Sequence, residues 1–105
     1  MVVTPQGSLQ AATRAAGGAI YGVDKGGFTA GVSSVVISGE YQNAFVCVRP
    51  PGHHAGIDGL LTTASSCGFC IYNNVMIAAM HALETYPDKI KKIAVVDIGS
   101  IFGVA

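Results

Sequence analysis

Apolar residues recur at helical spacing in two stretches of this chain and run without interruption in two others. Leu9, Ala12, Ala16, Ile20 and Val23 fall on one face of a 3.6-residue period and predict a helix over 8–25, with Ser8 as its N-cap. Gly17-Gly18 weakens that helix by about 1 kcal/mol per glycine relative to alanine and predicts that a neighbouring element approaches closely there. A phosphate-binding glycine loop is disfavoured, because no strand precedes these glycines. Gly26-Gly27-Phe28-Thr29-Ala30-Gly31 ends the pattern as a loop, and Val32 to Ile37 fits a continued helix or a short strand equally well.

Ala44-Phe45-Val46-Cys47-Val48 is a continuous apolar run, the pattern of a strand buried on both faces. A loop occupies 49–68. Asn73 or Asn74 then caps a second helix reaching about Tyr86, with Val75, Ile77, Ala78, Ala79, Ala82 and Leu83 as its apolar face and Pro87 as its stop. Ile93-Ala94-Val95-Val96-Asp97 reads as a second buried strand. Strand, helix and strand make a βαβ unit, so the expected class is α/β with a parallel sheet and a right-handed crossover. Sites in such sheets lie outside the carboxyl ends of the strands, which places His53, His54 and Asp97 in one crevice.

Composition narrows the picture. The chain has 105 residues, enough for one domain at most, and half are hydrophobic while only 11% are charged, so it reads as interior rather than surface. Net charge is zero, and the one basic cluster, Lys89, Lys91 and Lys92, is a solvated face that makes no case for nucleic-acid binding. The start, Met1-Val2-Val3-Thr4-Pro5-Gln6, shows no basic region followed by an apolar core, so no secretory signal is visible in it, and no apolar run approaches the roughly 20 residues that span a bilayer. Three cysteines do not suggest a disulfide framework. The expectation is a soluble intracellular protein with no direct nucleic-acid or membrane partner.

Candidate chemistry concentrates in residues 49–74. Arg49-Pro50-Pro51-Gly52-His53-His54-Ala55 braces two adjacent histidines, which on a loop can point into one small volume. Cys67-Gly68-Phe69-Cys70-Ile71-Tyr72-Asn73-Asn74 follows. Cys67 and Cys70 together with His53 and His54 have the residue types of a small Cys₂His₂ zinc-binding module, though adjacent histidines rarely both ligate one ion. A thioredoxin-like role is weaker still, because Cys67 does not open a helix directly after a strand.

Those two motifs together resemble the zinc-dependent histone deacetylase family and its acetylpolyamine-cleaving relatives. The resemblance extends outward through residues 11–21 and 93–97, so it covers about 7–98, with 26–34 reading as an inserted loop and 99–105 as an atypical tail. It implies the N-terminal part of an arginase/deacetylase-type α/β domain and zinc-dependent hydrolysis of acetyl-lysine amides on a histone or other protein, in the nucleus or cytoplasm. On matching positions, His54 corresponds to the general base and His53 to its electrostatic partner. Asp97 corresponds to the aspartate that orients a histidine and contributes to a monovalent-cation site. Gly68 and Phe69 match the walls of the acetyl-lysine channel, and Cys70 matches a buried structural cysteine.

The family continues from this aspartate as Asp-x-Asp-x-His, whose second aspartate and histidine ligate zinc. Here Gly99 and Ile101 stand at those positions and Val104 replaces a further orienting aspartate, while the third ligand and the carbonyl-polarising tyrosine have no counterpart. The resemblance therefore implies a metal set of none and an inactive chain. The abrupt departure at Gly99 suggests a reading frame leaving its exon. The alternative is a non-catalytic binding or regulatory protein that keeps half of the site.

Overall fold

A computed structural model of the chain describes residues 6–26, 43–57 and 65–97. The expected insertion (from residue 27 onward), the alternatives for Val32 to Ile37 and the tail after Asp97 lie outside the described residues. Two helices organise the rest: α1, Ser8–Gly26, and α2, Asn74–Thr85.

Helix α1 begins one residue earlier in its hydrogen bonding than its sequence suggests. The Ala11 amide donates to the Gly7 carbonyl at 2.9 Å, which makes Gly7 rather than Ser8 the cap. Gly7 has φ +89°, a conformation that L side chains avoid. The start of α2 follows side-chain chemistry instead: Asn73 lies outside the helix and its side-chain oxygen accepts from the Met76 amide at 3.2 Å. Tyr86 closes the helix, its amide donating to the Ala82 carbonyl at 3.1 Å, and Pro87 follows. The Tyr86 carbonyl then accepts from the Lys89 and Ile90 amides, turning the chain so that Ile90 returns to the core.

The helices pack through small residues. Ala12, Ala15 and Ala16 of α1 and Ala78, Ala79 and Ala82 of α2 are buried. Val23, Ala78, Ala82 and Ile90 form the central cluster, joined by Ala19, Leu83, Tyr86 and Ile93. Leu9 and Val75, both placed on apolar faces by their spacing, are 62% and 46% exposed.

The two runs expected as buried strands are not strands among the described residues. A strand exists only as part of a ladder, and neither 44–48 nor 93–97 is paired into one there. The first run keeps a two-residue alternation all the same. Val46 and Val48 face α1, where a Cβ at Gly22 would collide with the Val46 side chain and one at Gly18 would stand 3.1 Å from Val48 Cγ1. Phe45, on the opposite side, is 94% exposed. The predicted close approach is therefore real but falls at Gly18 and Gly22, one turn apart, while Gly17 has open space beside it. In the second run Ile93 packs on the core, and Val95 and Val96 are exposed.

A polar latch joins the two helices. His81 Nε2 lies 2.7 Å from Asp24 Oδ1, and the Tyr86 hydroxyl donates to the same oxygen at 2.7 Å. His81 Nδ1 is 3.2 Å from Thr85 Oγ1, one turn further along α2. Burial pushes the Asp24 carboxyl up, but hydrogen bonds from His81 and Tyr86, with the charges of His81 and Lys25, outweigh it and hold the carboxyl below its ordinary 3.8. The bond to Asp24, followed by burial, raises the Tyr86 hydroxyl above its ordinary 10.0. A carboxyl held low in the folded state stabilises it above its unfolded pKa and loses that contribution as pH falls through the folded value. Thermal unfolding of the chain and of Asp24→Asn is thus expected to differ at neutral pH and to converge in acid, once the pH has fallen through the lowered folded value. A gap that persists unchanged at acid pH would contradict the latch.

Candidate active site

The two histidines occupy the centre of a tight turn. The Ala55 amide donates to the Gly52 carbonyl at 3.0 Å, so His53 and His54 are the two residues between the turn's ends. Their ring centroids come to 4.3 Å with the planes tilted by 49°. A strand would have sent the rings to opposite faces; the turn sets them side by side. His53 is exposed and His54 half-buried.

This turn rests directly on the start of α2. Gly52 is buried, and a Cβ there would collide with the Tyr72 carbonyl oxygen and stand 2.8 Å from the Asn74 nitrogen and 3.0 Å from Asn73 Cα. Only a residue without a side chain lets the two backbones touch. Two amide side chains hold them together: Asn74 Nδ2 donates to the Pro50 carbonyl at 3.2 Å, and Asn73 Nδ2 donates to the Ala55 carbonyl at 3.1 Å. Asn73 thus caps the helix with its oxygen and grips the loop with its nitrogen. Asn74 is buried, and its side-chain oxygen has no hydrogen-bond partner among the described residues.

Gly68 and Phe69 sit at the tip of a second turn, closed by the Cys70 amide donating to the Cys67 carbonyl at 3.1 Å. Gly68 has φ +59°, the left-handed region that primed turns place at their first central residue and that favours glycine. The Gly68 amide also donates to Ser66 Oγ at 3.3 Å. Phe69 is 69% exposed and Cys70 is buried. Cys67-x-x-Cys70 is accounted for as the two ends of this turn, and both thiols are free. Among the described residues, no three His, Cys, Asp or Glu side chains are grouped so that they could hold a metal ion. The Cys₂His₂ alternative, whose four residues are all described, lacks the grouping it needs.

The structure therefore brings His53 and His54 together and seats them on α2. Gly68 and Phe69 form their own turn, and Asp97 lies exposed in the stretch after Ile93. The pattern of the sequence singled out neither the loop-gripping role of Asn73 and Asn74 nor the Asp24–His81–Tyr86 latch. The doubled asparagine before an apolar helix was the available signal for the first, and only half of it, the cap, is local. Nothing in the spacing of Asp24 and His81 signals the second.

Comparison with known proteins bears on what this arrangement is for. Residues 1–99 match the model of the histone deacetylase domain. The chain is 43% identical over 90 residues to type-2 histone deacetylase 1 of Dictyostelium discoideum, covering 86% of the chain and 5% of that protein. It is 44% identical over 64 residues to histone deacetylase clr3 of Schizosaccharomyces pombe, covering 61% of the chain and 8% of that protein. It is 40% identical over 92 residues to histone deacetylase 18 of Arabidopsis thaliana, covering 87% of the chain and 11% of that protein. The chain thus spans about a tenth or less of the length of these relatives. No solved structure matches it.

Proposed function

The chain belongs to the histone deacetylase family, and from that premise we propose that it carries the histidine-pair half of an acetyl-lysine-hydrolysing site, without the metal half. The observation that carries this reading is the Gly52–Ala55 turn, which sets two imidazoles 4.3 Å apart on a rigid seat inside the family-matched region. His54 is the proton acceptor in this reading, and His53 is its electrostatic partner. Asp97 would orient His53 in this reading and would help to hold a monovalent cation, whose charge would steady the pair. Gly68 and Phe69 offer an open backbone and an aromatic wall to the aliphatic stem of an acetylated lysine. The runs 44–48 and 93–97 are strand positions of the family's parallel α/β sheet in this reading, with 7–98 as the family-like region and 99–105 outside it.

Zinc does not fit the residues present. The described side chains offer no grouping of three ligands, and Gly99 and Ile101 have no ligating side chain. The chain's own chemistry is recognition and proton handling: imidazole nitrogens at 53 and 54 accept or donate at a substrate amide. The substrate class is an acetylated lysine on a histone or another protein, met in the nucleus or cytoplasm. No helix among the described residues is long and apolar enough to cross a membrane.

Titration of an acetyl-lysine peptide into the isotope-labelled chain tests the reading by NMR. The expected result is perturbation of His53, His54, Gly68 and Phe69 by the acetylated peptide and not by its unacetylated twin, lost in Phe69→Ala. Equal response to both peptides, or shifts confined elsewhere, overturns it.

A further inference from the structure

The histidine turn has no regular secondary structure of its own, so something outside it must fix the two rings. Three contacts do so, all from the segment 72–74 that leads into α2. Gly52 lies against the Tyr72–Asn74 backbone, too close for any Cβ. Asn74 reaches the Pro50 carbonyl, two residues before the turn begins, and Asn73 reaches the Ala55 carbonyl at its last residue. One amide therefore grips each flank of the pair. Among the described residues the buried Asn74 oxygen has no partner, while its nitrogen donates to Pro50. Helix formation asks nothing of that nitrogen, since the cap is supplied by Asn73. A buried polar atom left unsatisfied is costly and calls for a reason, and the grip on the loop supplies one.

We propose that Asn73 and Asn74 are positioning residues for the His53–His54 pair, locking the turn to the first turn of α2 so that the rings keep one mutual geometry. This rests on the reading of the pair as the proton-handling half of the site. Helix and histidines then form one rigid unit: the cap that starts α2 also ends the freedom of the loop.

Asn73 permits a clean separation, because its oxygen and nitrogen have different tasks. Asn73→Asp keeps an acceptor for the Met76 amide, and a negative charge at a helix N-terminus is favourable, but it removes the N–H that Ala55 accepts from. The experiment is NMR and circular dichroism on the full 105-residue chain. The expected result in Asn73→Asp is unchanged helicity, loss of the ring-to-ring NOE between His53 and His54, and Ala55 amide exchange faster by about tenfold, the scale of one lost hydrogen bond. Asn73→Ser, which also caps but cannot donate as far, should behave likewise. Unchanged rings and unchanged Ala55 exchange in both variants overturn the proposal. Loss of α2 helicity in Asn73→Asp overturns it too, by reducing Asn73 to a cap. Failure of the underlying functional reading looks different: the rings loosen in Asn73→Asp, while acetylated peptide leaves the histidines of the unsubstituted chain unmoved.

Discussion

Gly52→Ala is expected to unseat the histidine turn and to cost more stability than alanine at any other described glycine. The new Cβ would meet the Tyr72 carbonyl oxygen, the Asn74 nitrogen and Asn73 Cα, all backbone atoms of the segment that starts α2. Backbone in a capped helix start cannot swing aside as a side-chain tip can, so the turn must lift. Overpacking of this kind costs about 1–3 kcal/mol. The lift also strains the Asn74–Pro50 and Asn73–Ala55 hydrogen bonds, each worth about 0.5–1.5 kcal/mol. A loss of about 2–6 kcal/mol lowers the thermal midpoint of a domain this size by roughly 10 °C or more. Gly17→Ala gives the opposite sign, because Gly17 has open space beside it in α1 and alanine is the better helix former by about 1 kcal/mol. Circular dichroism melts of both variants check the pair. A Gly52→Ala midpoint as high as the parent's would mean that the turn does not rest on α2 as described.

Which parts of this arrangement were legible follows from how far apart the interacting residues lie in sequence. Helix α2 was readable at both ends, because an asparagine cap and a proline stop act within one turn of themselves. Helix α1 was readable from its period, but its cap was not, since Gly7 serves through a positive φ and offers no side-chain signal. Glycine-mediated contact was anticipated at Gly17-Gly18 and found at Gly18 and Gly22, because an extended partner needs clear positions one helical turn apart rather than adjacent ones. The apolar runs at 44–48 and 93–97 carry strand composition, yet a ladder needs a partner that composition cannot supply. Among the site residues, the pairing of His53 with His54 was legible because they are neighbours held in a turn. The grips from Asn73 and Asn74 span 18 and 24 residues, and the Asp24 latch spans 57 and 62. Contacts at that separation leave no periodic trace.

The purified 105-residue chain is expected to hold no stoichiometric zinc and to give no measurable cleavage of acetyl-lysine peptides. Hydrolysing an amide requires activation of a water, and zinc does this by lowering its pKa from 15.7 to about 7, worth up to roughly 12 kcal/mol at 1.36 kcal/mol per unit. A positioned base contributes about 10²–10⁴-fold, or roughly 3–5 kcal/mol. His53 and His54 supply the second effect and not the first. The missing effect, up to roughly 12 kcal/mol, is up to about nine orders of magnitude in rate. The described side chains offer no grouping of three ligands, and Gly99 and Ile101, which the family resemblance sets at ligand positions, carry no metal-binding side chain. Elemental analysis after dialysis measures the metal, and a peptide assay with product detection measures turnover. Robust turnover that disappears in His54→Ala would overturn this expectation by showing a complete site. Stoichiometric zinc that is lost in Cys67→Ser would instead place a metal between the cysteine turn and the histidine turn, and the chain would then be a binding module built on deacetylase sequence.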